Sequence, residues 1–199
     1  MTRHSAPGQR GISVLELVFT AGLLSTVAAM ALPSFDRAIA DARALGAARY
    51  VAGRLREARM EAVKRSANTA VRFASGDDDY AFSVHLDGNG DGVRRQDIDR
   101  GIDVELRPPE RLATHFRHVE FGAFEDVPAP DTGSTPPGDD PIRIGSTDLL
   151  AFTPLGTATP GSLYLRGSGG VQYAVRVLGG TGRVRILVFD RARRRWRTL

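Results

Sequence analysis

The sequence contains no cysteine. This absence excludes disulfides, zinc sites built on cysteine and cysteine nucleophiles. An exported domain without disulfides has to be stabilised by its own core or by assembly partners. Lysine is nearly absent as well, with Lys64 the only one, so arginine dominates the positive charge behind the net charge of +4. A surface rich in arginine favours anionic partners such as phosphate groups or lipid headgroups.

Recognisable catalytic patterns are missing too. The chain shows no nucleophile elbow, no Walker loop and no dinucleotide-binding fingerprint. Its four histidines, His4, His85, His115 and His118, form no recognisable ligand set. The sequence therefore predicts that this protein is not an enzyme.

Residues 12–32 form an apolar run of 21 residues with one charge, that of Glu16. A helix of this length spans roughly 30 Å, the thickness of a bilayer core. Arg3 and Arg10 precede the run without any acidic residue, which predicts a cytoplasmic N-terminus and a head outside the cytoplasm. Three hypotheses fit the run: a secretory signal with an Ala-x-Ala-like site at 29–31, a plain single-pass anchor, or a leader cut before the run.

Residues 10–16 read Arg-Gly-Ile-Ser-Val-Leu-Glu and favour the third hypothesis. A carboxylate in an apolar helix costs about 2.5–3.5 kcal/mol at mid-membrane, and neither a signal peptide nor a plain anchor gains from it. The segment resembles the leader of type IV pilins and type II secretion pseudopilins. The resemblance implies cleavage after Gly11 by a prepilin peptidase and methylation of Ile12, where the family usually has phenylalanine. It also implies that Glu16 neutralises the free amine of a neighbouring subunit.

A helical pattern resumes after Pro33. Apolar residues recur at steps of three and four and form a stripe rich in alanine. The stripe comprises Ala40, Ala44, Ala47, Val51, Leu55, Ala58 and Ala62. Segment 12–66 is thus predicted to be one long helix interrupted near Pro33, where pilins commonly have a proline that kinks the helix.

From residue 67 the pattern changes to short alternating runs typical of strands. The predicted strands are Thr69–Ser75, Tyr80–Leu86, Ile102–Arg107, His118–Phe124, Leu149–Thr153, Ser162–Arg166, Val171–Leu178 and Arg183–Phe189. Their short connections leave no room for crossover helices, so we expect antiparallel pairing. Residues 127–141 are rich in Pro, Gly and Asp and are expected to form a long loop or a partly disordered segment. A helix followed by strands predicts an α+β fold.

Two motifs in the C-terminal half sharpen the resemblance. Phe152–Gly156 precedes a strand, and Gly182-Arg183-Val184-Arg185 lies near the end of the chain. Together with the leader they resemble the GspH/FimT family, the minor pseudopilins of type II secretion and minor type IV pilins. The resemblance implies a pilin-like protein with a single pass through the bacterial inner membrane. It would join other pilin or pseudopilin subunits in a filament of either system.

The same resemblance implies a division of the chain into four segments. They are a leader at 1–11, a transmembrane or filament-core helix at 12–32, its amphipathic continuation at 33–66, and a β-rich periplasmic or extracellular head at 67–199.

Oxygen-bearing residues alternate with glycine in a loop that resembles a calcium site. Asp87, Asn89 and Asp91 occupy ligand positions one, three and five, and a glycine follows at position six. Position twelve is not the usual glutamate, so Asp97 or Asp99 would have to substitute for it. The alternative is that these Asn and Asp residues only form turns.

Arginines crowd the C-terminus around Trp196. They are Arg183, Arg185, Arg191, Arg193, Arg194, Arg195 and Arg197. Basic residues next to an aromatic side chain suit contact with a nucleic-acid backbone, and some FimT relatives bind DNA through the Gly-Arg-x-Arg region during uptake. Two other hypotheses are a charged edge strand that resists aggregation and a docking surface for acidic partner subunits.

Overall fold

The computed structural model describes residues 13–76, 79–130, 136–145 and 147–199, with only the backbone described at residues 30–34. The chain divides into two compact units, Met1–Ala38 and Ile39–Leu199. The predicted leader, including Gly11 and Ile12, lies outside the described residues.

Helix α1 extends over Val14–Arg65, and its backbone is helical at Pro33. The sequence predicts an interruption at this proline, whereas the structure has a single helical element. A proline removes one backbone donor from the helix, and this loss need not end the element. In its second half α1 buries six of the seven residues of the predicted stripe, Ala44, Ala47, Val51, Leu55, Ala58 and Ala62, whereas Ala40 is only half-buried.

Within the described residues, ten strands and two short helices follow α1. The strands are β1 (Thr69–Ser75), β2 (Tyr80–Leu86), β3 (Val104–Arg111), β4 (Val119–Phe121), β5 (Ile142–Ile144), β6 (Leu149–Phe152), β7 (Gly161–Gly167), β8 (Gln172–Leu178), β9 (Arg183–Asp190) and β10 (Arg195–Thr198). The short helices are α2 (Arg95–Asp99) and α3 (Leu112–His115). The predicted strand at 118–124 is shorter than expected, because His118 has a positive φ and lies in a turn.

The strands form two antiparallel sheets. The first has the order β3-β2-β1-β6, and the second has the order β10-β9-β8-β7-β4, with β5 also paired to β7. Alternation places one face of each strand in the core, as with Val71 opposite Val84 in the first sheet and Val175 opposite Ile186 in the second. The fold is therefore α+β with antiparallel sheets, as predicted.

Small side chains on α1 allow close contact with the strands. A Cβ at Gly167 of β7 would lie 2.9 Å from the Cβ of Ala44, so neither residue can be larger without displacing the other. Ala47, Ala48 and Ala52 are completely buried on the same helix. Their size fixes the distance between the helix and the sheets, and this distance positions the arginines described next.

Candidate functional site

Arg183 and Arg185 are exposed at the beginning of β9, on one face of the strand. Strand β10 pairs only with Leu187–Asp190, so the first half of β9 has an open edge. The guanidinium of Arg56 on α1 occupies this edge and donates from Nη2 to the carbonyl oxygen of Val184, at 3.3 Å. The open edge therefore brings a helix arginine next to the strand arginines.

Arg59 approaches the same region from the next turn of α1. Its Nε donates to the carbonyl oxygen of Gly156, at 3.2 Å. The four arginines line a pocket of about 600 Å³ together with backbone and side chains of 182–186 and 198–199. We call it the four-arginine pocket: Arg56, Arg59, Arg183 and Arg185.

Gly182 gives the pocket its shape. It has a φ of +57°, and a Cβ at this position would lie 2.3 Å from the carbonyl oxygen of Gly156 and 2.9 Å from Nε of Arg59. Any side chain would therefore clash with backbone and strain the turn. The glycine of the Gly-Arg-x-Arg motif is required because the 153–157 turn, the β9 turn and α1 meet there.

The positive charge of the pocket is not neutralised within the described part of the chain. No Asp or Glu lines the pocket, and none of its four arginines forms an ion pair with a described carboxylate. Each guanidinium has five N–H donors, and Arg56 and Arg59 each give one to a backbone carbonyl. The pocket can therefore donate several hydrogen bonds to an anion.

The arginines that follow β9 are arranged differently. Arg193 pairs with Asp190 at 2.9 Å, and Arg191 lies over the ring of Phe124, 4.5 Å from its centroid. Arg194 reaches the carbonyl oxygen of Asp126 at 3.5 Å. These three side chains contact the chain's own residues, two of them on the segment that leads into 127–141. Arg195 and Arg197 are exposed on β10.

Trp196 is not available as a stacking platform. Its ring is half-buried, 5.3 Å from Phe189 and 6.0 Å from Tyr164, and its Nε1 donates to the carbonyl oxygen of Pro128 at 2.9 Å. Because Trp196 pairs with Phe189, alternation puts Arg195 and Arg197 on the opposite face from Arg183 and Arg185. The structure thus does not unite the seven sequence-predicted arginines in one surface.

The sequence signal for the helix arginines was weak. Arg56 and Arg59 are separated from β9 by more than a hundred residues, and no sequence motif singles them out. Only the antiparallel topology, which returns β9 to α1, brings them together with Arg183. A sequence pattern at this separation gives no indication of such a contact.

The calcium-like loop is organised by two buried carboxylates, and one of them, Asp103, accepts hydrogen bonds from the backbone N–H groups of Gly88 and Arg94. Asp87 accepts hydrogen bonds from the backbone N–H groups of Asn89, Gly90 and Gly92 and from the amide of Asn68. Burial alone would raise the pKa of Asp87, but the hydrogen bonds from Asn68 and from the loop backbone hold this pKa below its ordinary value. The loop is therefore closed by an ionised Asp87.

The other proposed calcium ligands diverge. Asp99 pairs with Arg72 at 3.2 Å, the side chain of Asp91 pairs with Arg94 at 2.8 Å, and Asp97 is buried in α2. Across the described ranges, no three acidic, histidine or cysteine residues are grouped so as to hold a metal ion. The calcium site stays a prediction.

The first part of α1 presents apolar side chains to the outside. Val14, Leu15 and Phe19 are all more than 70 % exposed, and Glu16 is exposed in the first helical turn. Within the described residues, no helix has the length and hydropathy that crossing a membrane requires.

A family model for type II transport protein GspH matches residues 47–182, well over half of the chain. The match covers most of the second half of α1 and extends to the glycine that shapes the four-arginine pocket. No curated protein and no solved structure matches the chain.

Proposed function

The chain belongs to the GspH family of type II transport proteins, and from this membership we propose that it is a minor pilin or pseudopilin. In this role it is a structural subunit of a filament, of either the type II secretion or the type IV pilus class. The proposal makes the protein an assembly component and not a catalyst.

The exposed apolar surface of the first part of α1 carries this proposal. Leu17, Val18, Leu23, Leu24 and Val27 are each at least 58 % exposed, in addition to the residues at the very start of the helix. Exposed apolar area costs about 25 cal/mol per Å² relative to burial, so a helix of this kind needs an apolar environment outside its own chain. Lipid supplies that environment before assembly, and the helices of neighbouring subunits supply it in the filament.

The proposed maturation has three steps. Prepilin peptidase removes residues 1–11 by cutting after Gly11, Ile12 is methylated, and the helix from residue 12 to 32 holds the subunit in the inner membrane. The N-terminus faces the cytoplasm, and the head from residue 67 faces the periplasm or the outside. Residues 33–66 connect the two.

In the filament, Glu16 is proposed to pair with the free N-terminal amine of an adjacent subunit. A carboxylate within an apolar helix is costly unless it is paired, and this pairing would both offset the cost and set the register between subunits. Pro33 is proposed to mark the transition from the buried helix to the spine of the head.

Replacing Glu16 by alanine tests the assembly role. The Glu16→Ala variant should be inserted and folded but absent from filaments, measured by shearing the filaments from cells and detecting the subunit. Glu57→Ala is the matched control, because it removes a glutamate from the head portion of the same helix and should be incorporated. Normal incorporation of Glu16→Ala would contradict the proposed pairing.

N-terminal sequencing of the mature protein tests processing. We expect N-methylated Ile12 as the first residue. A mature chain that begins at Leu32 would instead identify the apolar run as a cleaved secretory signal and would remove the helix from the filament.

A second candidate function is DNA binding, which we propose on one specific observation. Arg183 and Arg185 are exposed and have no described carboxylate partner, whereas Arg191 and Arg193 contact the protein itself. Guanidinium groups without a partner bind phosphate well, because their fork of donors matches the phosphate oxygens.

Salt dependence tests this second candidate. Binding to DNA should weaken steeply with salt and should fall when Arg183 and Arg185 are both replaced by alanine. The double variant Arg191→Ala/Arg193→Ala removes the same charge and should bind nearly as wild type. Binding that is absent, or insensitive to salt, would return these arginines to a structural role.

A further inference from the structure

We infer that Arg56 and Arg59 of α1 form the second wall of a phosphate-binding site, so that nucleic acid is held by its backbone between α1 and β9. The inference rests on the DNA-binding candidate. It adds two binding residues outside the Gly-Arg-x-Arg motif, and it assigns the contact to the phosphates and not to the bases.

The pocket lies between two elements, helix α1 and strand β9. Arg183 and Arg185 extend from the open edge of β9, and Arg56 bonds to Val184, the residue between them. Arg59 lies one turn along the helix and bonds to Gly156, beside Gly182. Residues from both elements, Arg56 and Arg59 of α1 and Arg183 and Arg185 of β9, thus line one pocket of about 600 Å³.

The side chains of Arg56 and Arg59 are held in place by hydrogen bonds to backbone carbonyls. Arg59 is anchored by the hydrogen bond from its Nε to the carbonyl oxygen of Gly156. Arg56 is similarly anchored to the strand. Arginines held in this way lose less side-chain entropy on binding than freely moving surface arginines do, which favours binding.

The positive charge of the four-arginine pocket also favours an anionic ligand. The four arginines have no described carboxylate within ion-pair distance, although the chain has almost as many acidic residues as basic ones, 23 against 27. Most other arginines of the head do have such partners, such as Arg166 with Glu120 and Arg95 with Asp148. Like charges held together without counterions destabilise a protein, and a bound polyanion removes that cost.

The pocket offers no surface on which nucleic-acid bases could stack. No aromatic side chain lines the pocket, and Trp196 is packed on Phe189 with its N–H already donated. Stacking on aromatic side chains is what usually retains single-stranded bases. A pocket without it contacts phosphates, and its affinity depends on charge and spacing and not on sequence.

The experiment measures binding of the full chain, in a neutral detergent, to a 30-base-pair duplex of random sequence by filter binding at several salt concentrations. Four phosphate contacts predict a slope of log K against log salt of about −3.6, from about −0.9 for each contact. The variant Arg56→Gln/Arg59→Gln should reduce the slope to about −1.8, equal to the effect of Arg183→Ala/Arg185→Ala. Glutamine keeps an amide donor toward Val184 and Gly156, and circular dichroism checks that both variants fold.

Failure of the second wall and failure of DNA binding give different results in this experiment. If the helix variant binds as wild type while the strand variant is weakened, the second wall is wrong and DNA binding survives. If the wild type does not bind DNA, both fail. Tighter binding to polyglutamate than to the duplex would overturn the phosphate assignment in favour of an acidic protein partner. A strong preference for a single strand, or for one base composition, would overturn the backbone assignment.

Discussion

Helix α1 has two regions with opposite relations to water. In residues 14–27 the large side chains are outside, with Leu15 78 % exposed. In residues 44–62 the buried side chains are mostly alanine, and Leu55 is 1 % exposed. In this helix most large apolar side chains are exposed, whereas most of the buried side chains are alanine. A globular protein usually buries its large apolar side chains.

This difference shows where each region finds its stability. The second half is stabilised by the sheets of its own head, and small residues serve it because the strands approach closely. The described leucines and valines of the first half are exposed, and such side chains suit lipid or another helix.

The largest difference in the free energy of unfolding is expected when a leucine is replaced by alanine in each of the two regions. Leu55→Ala should lower the free energy of unfolding by about 2–5 kcal/mol, because it leaves a cavity between α1 and the sheets. Leu24→Ala should change it by less than about 0.5 kcal/mol, because Leu24 is exposed. Chemical denaturation of both full-length variants in detergent measures the difference. Equal losses would break the comparison.

Enlarging a small residue tests the same contrast from the other side. Ala48→Leu should cost about 1–3 kcal/mol of unfolding free energy, because Ala48 is completely buried and the core has no space for three further carbons. Ala28→Leu, on the exposed part of the helix, should leave the thermal midpoint of the head unchanged. A stable Ala48→Leu head would show that the helix and sheets can separate without penalty.

Acid should lower the stability of the head through the carboxylate of Asp87. The pKa of Asp87 is lower in the folded state, so its stabilisation is complete above the unfolded value of about 3.9 and is lost as the pH falls through the folded value. Asp87→Asn should cost about 1–2 kcal/mol at pH 7, from weakened hydrogen bonds to an ionised group, and should flatten the decline of stability below about pH 4.

Glu16→Gln is the control for this titration. It alters the acid of the exposed helical region and should leave both the stability at pH 7 and the acid slope of the head unaltered. A flattened slope in Glu16→Gln instead of Asp87→Asn would mean that the two regions are energetically coupled.

Helix glycines give the smallest and finest test. Gly53→Ala should raise the free energy of unfolding by about 0.5–1 kcal/mol, because its Cβ would meet no atom within 4 Å and alanine favours the helix. Gly46→Ala should gain less or lose stability, because its Cβ would lie 3.1 Å from the ring of Phe116. Thermal unfolding resolves the two signs. A loss at Gly53 would indicate a contact that this chain alone does not contain.

Much of the fold could be predicted because its signals are local. Strands β1 and β2 begin and end at the predicted residues, since apolar and polar residues alternate on both sides of a turn rich in Gly and Asp. The alanine stripe of α1 likewise follows from helical periodicity. The two short strands were missed for a physical reason: β5 has three residues after a proline-rich segment, and β10 has arginines where an apolar pattern would be expected.

Only two of the four arginines of the candidate site could be predicted from the sequence. The Gly-Arg-x-Arg motif indicated Arg183 and Arg185, but Arg56 and Arg59 join them through a contact between distant segments. Trp196 was expected to offer a stacking face, and its neighbours Phe189 and Tyr164 instead enclose it. Composition revealed that arginines were plentiful, whereas only the register of β9 and β10 determined which of them lie together.

Trp196 is the only tryptophan of the chain, and its indole N–H is donated to Pro128. The protein therefore carries a single indole fluorophore, which lies where the 124–128 segment meets the last hairpin. Its emission should be blue while that segment is in place and should shift to the red, without any unfolding of the helix, as soon as the segment lifts away. Intrinsic tryptophan fluorescence can therefore report, without an attached dye, whether the 124–128 segment stays in contact with Trp196 when the protein binds a partner.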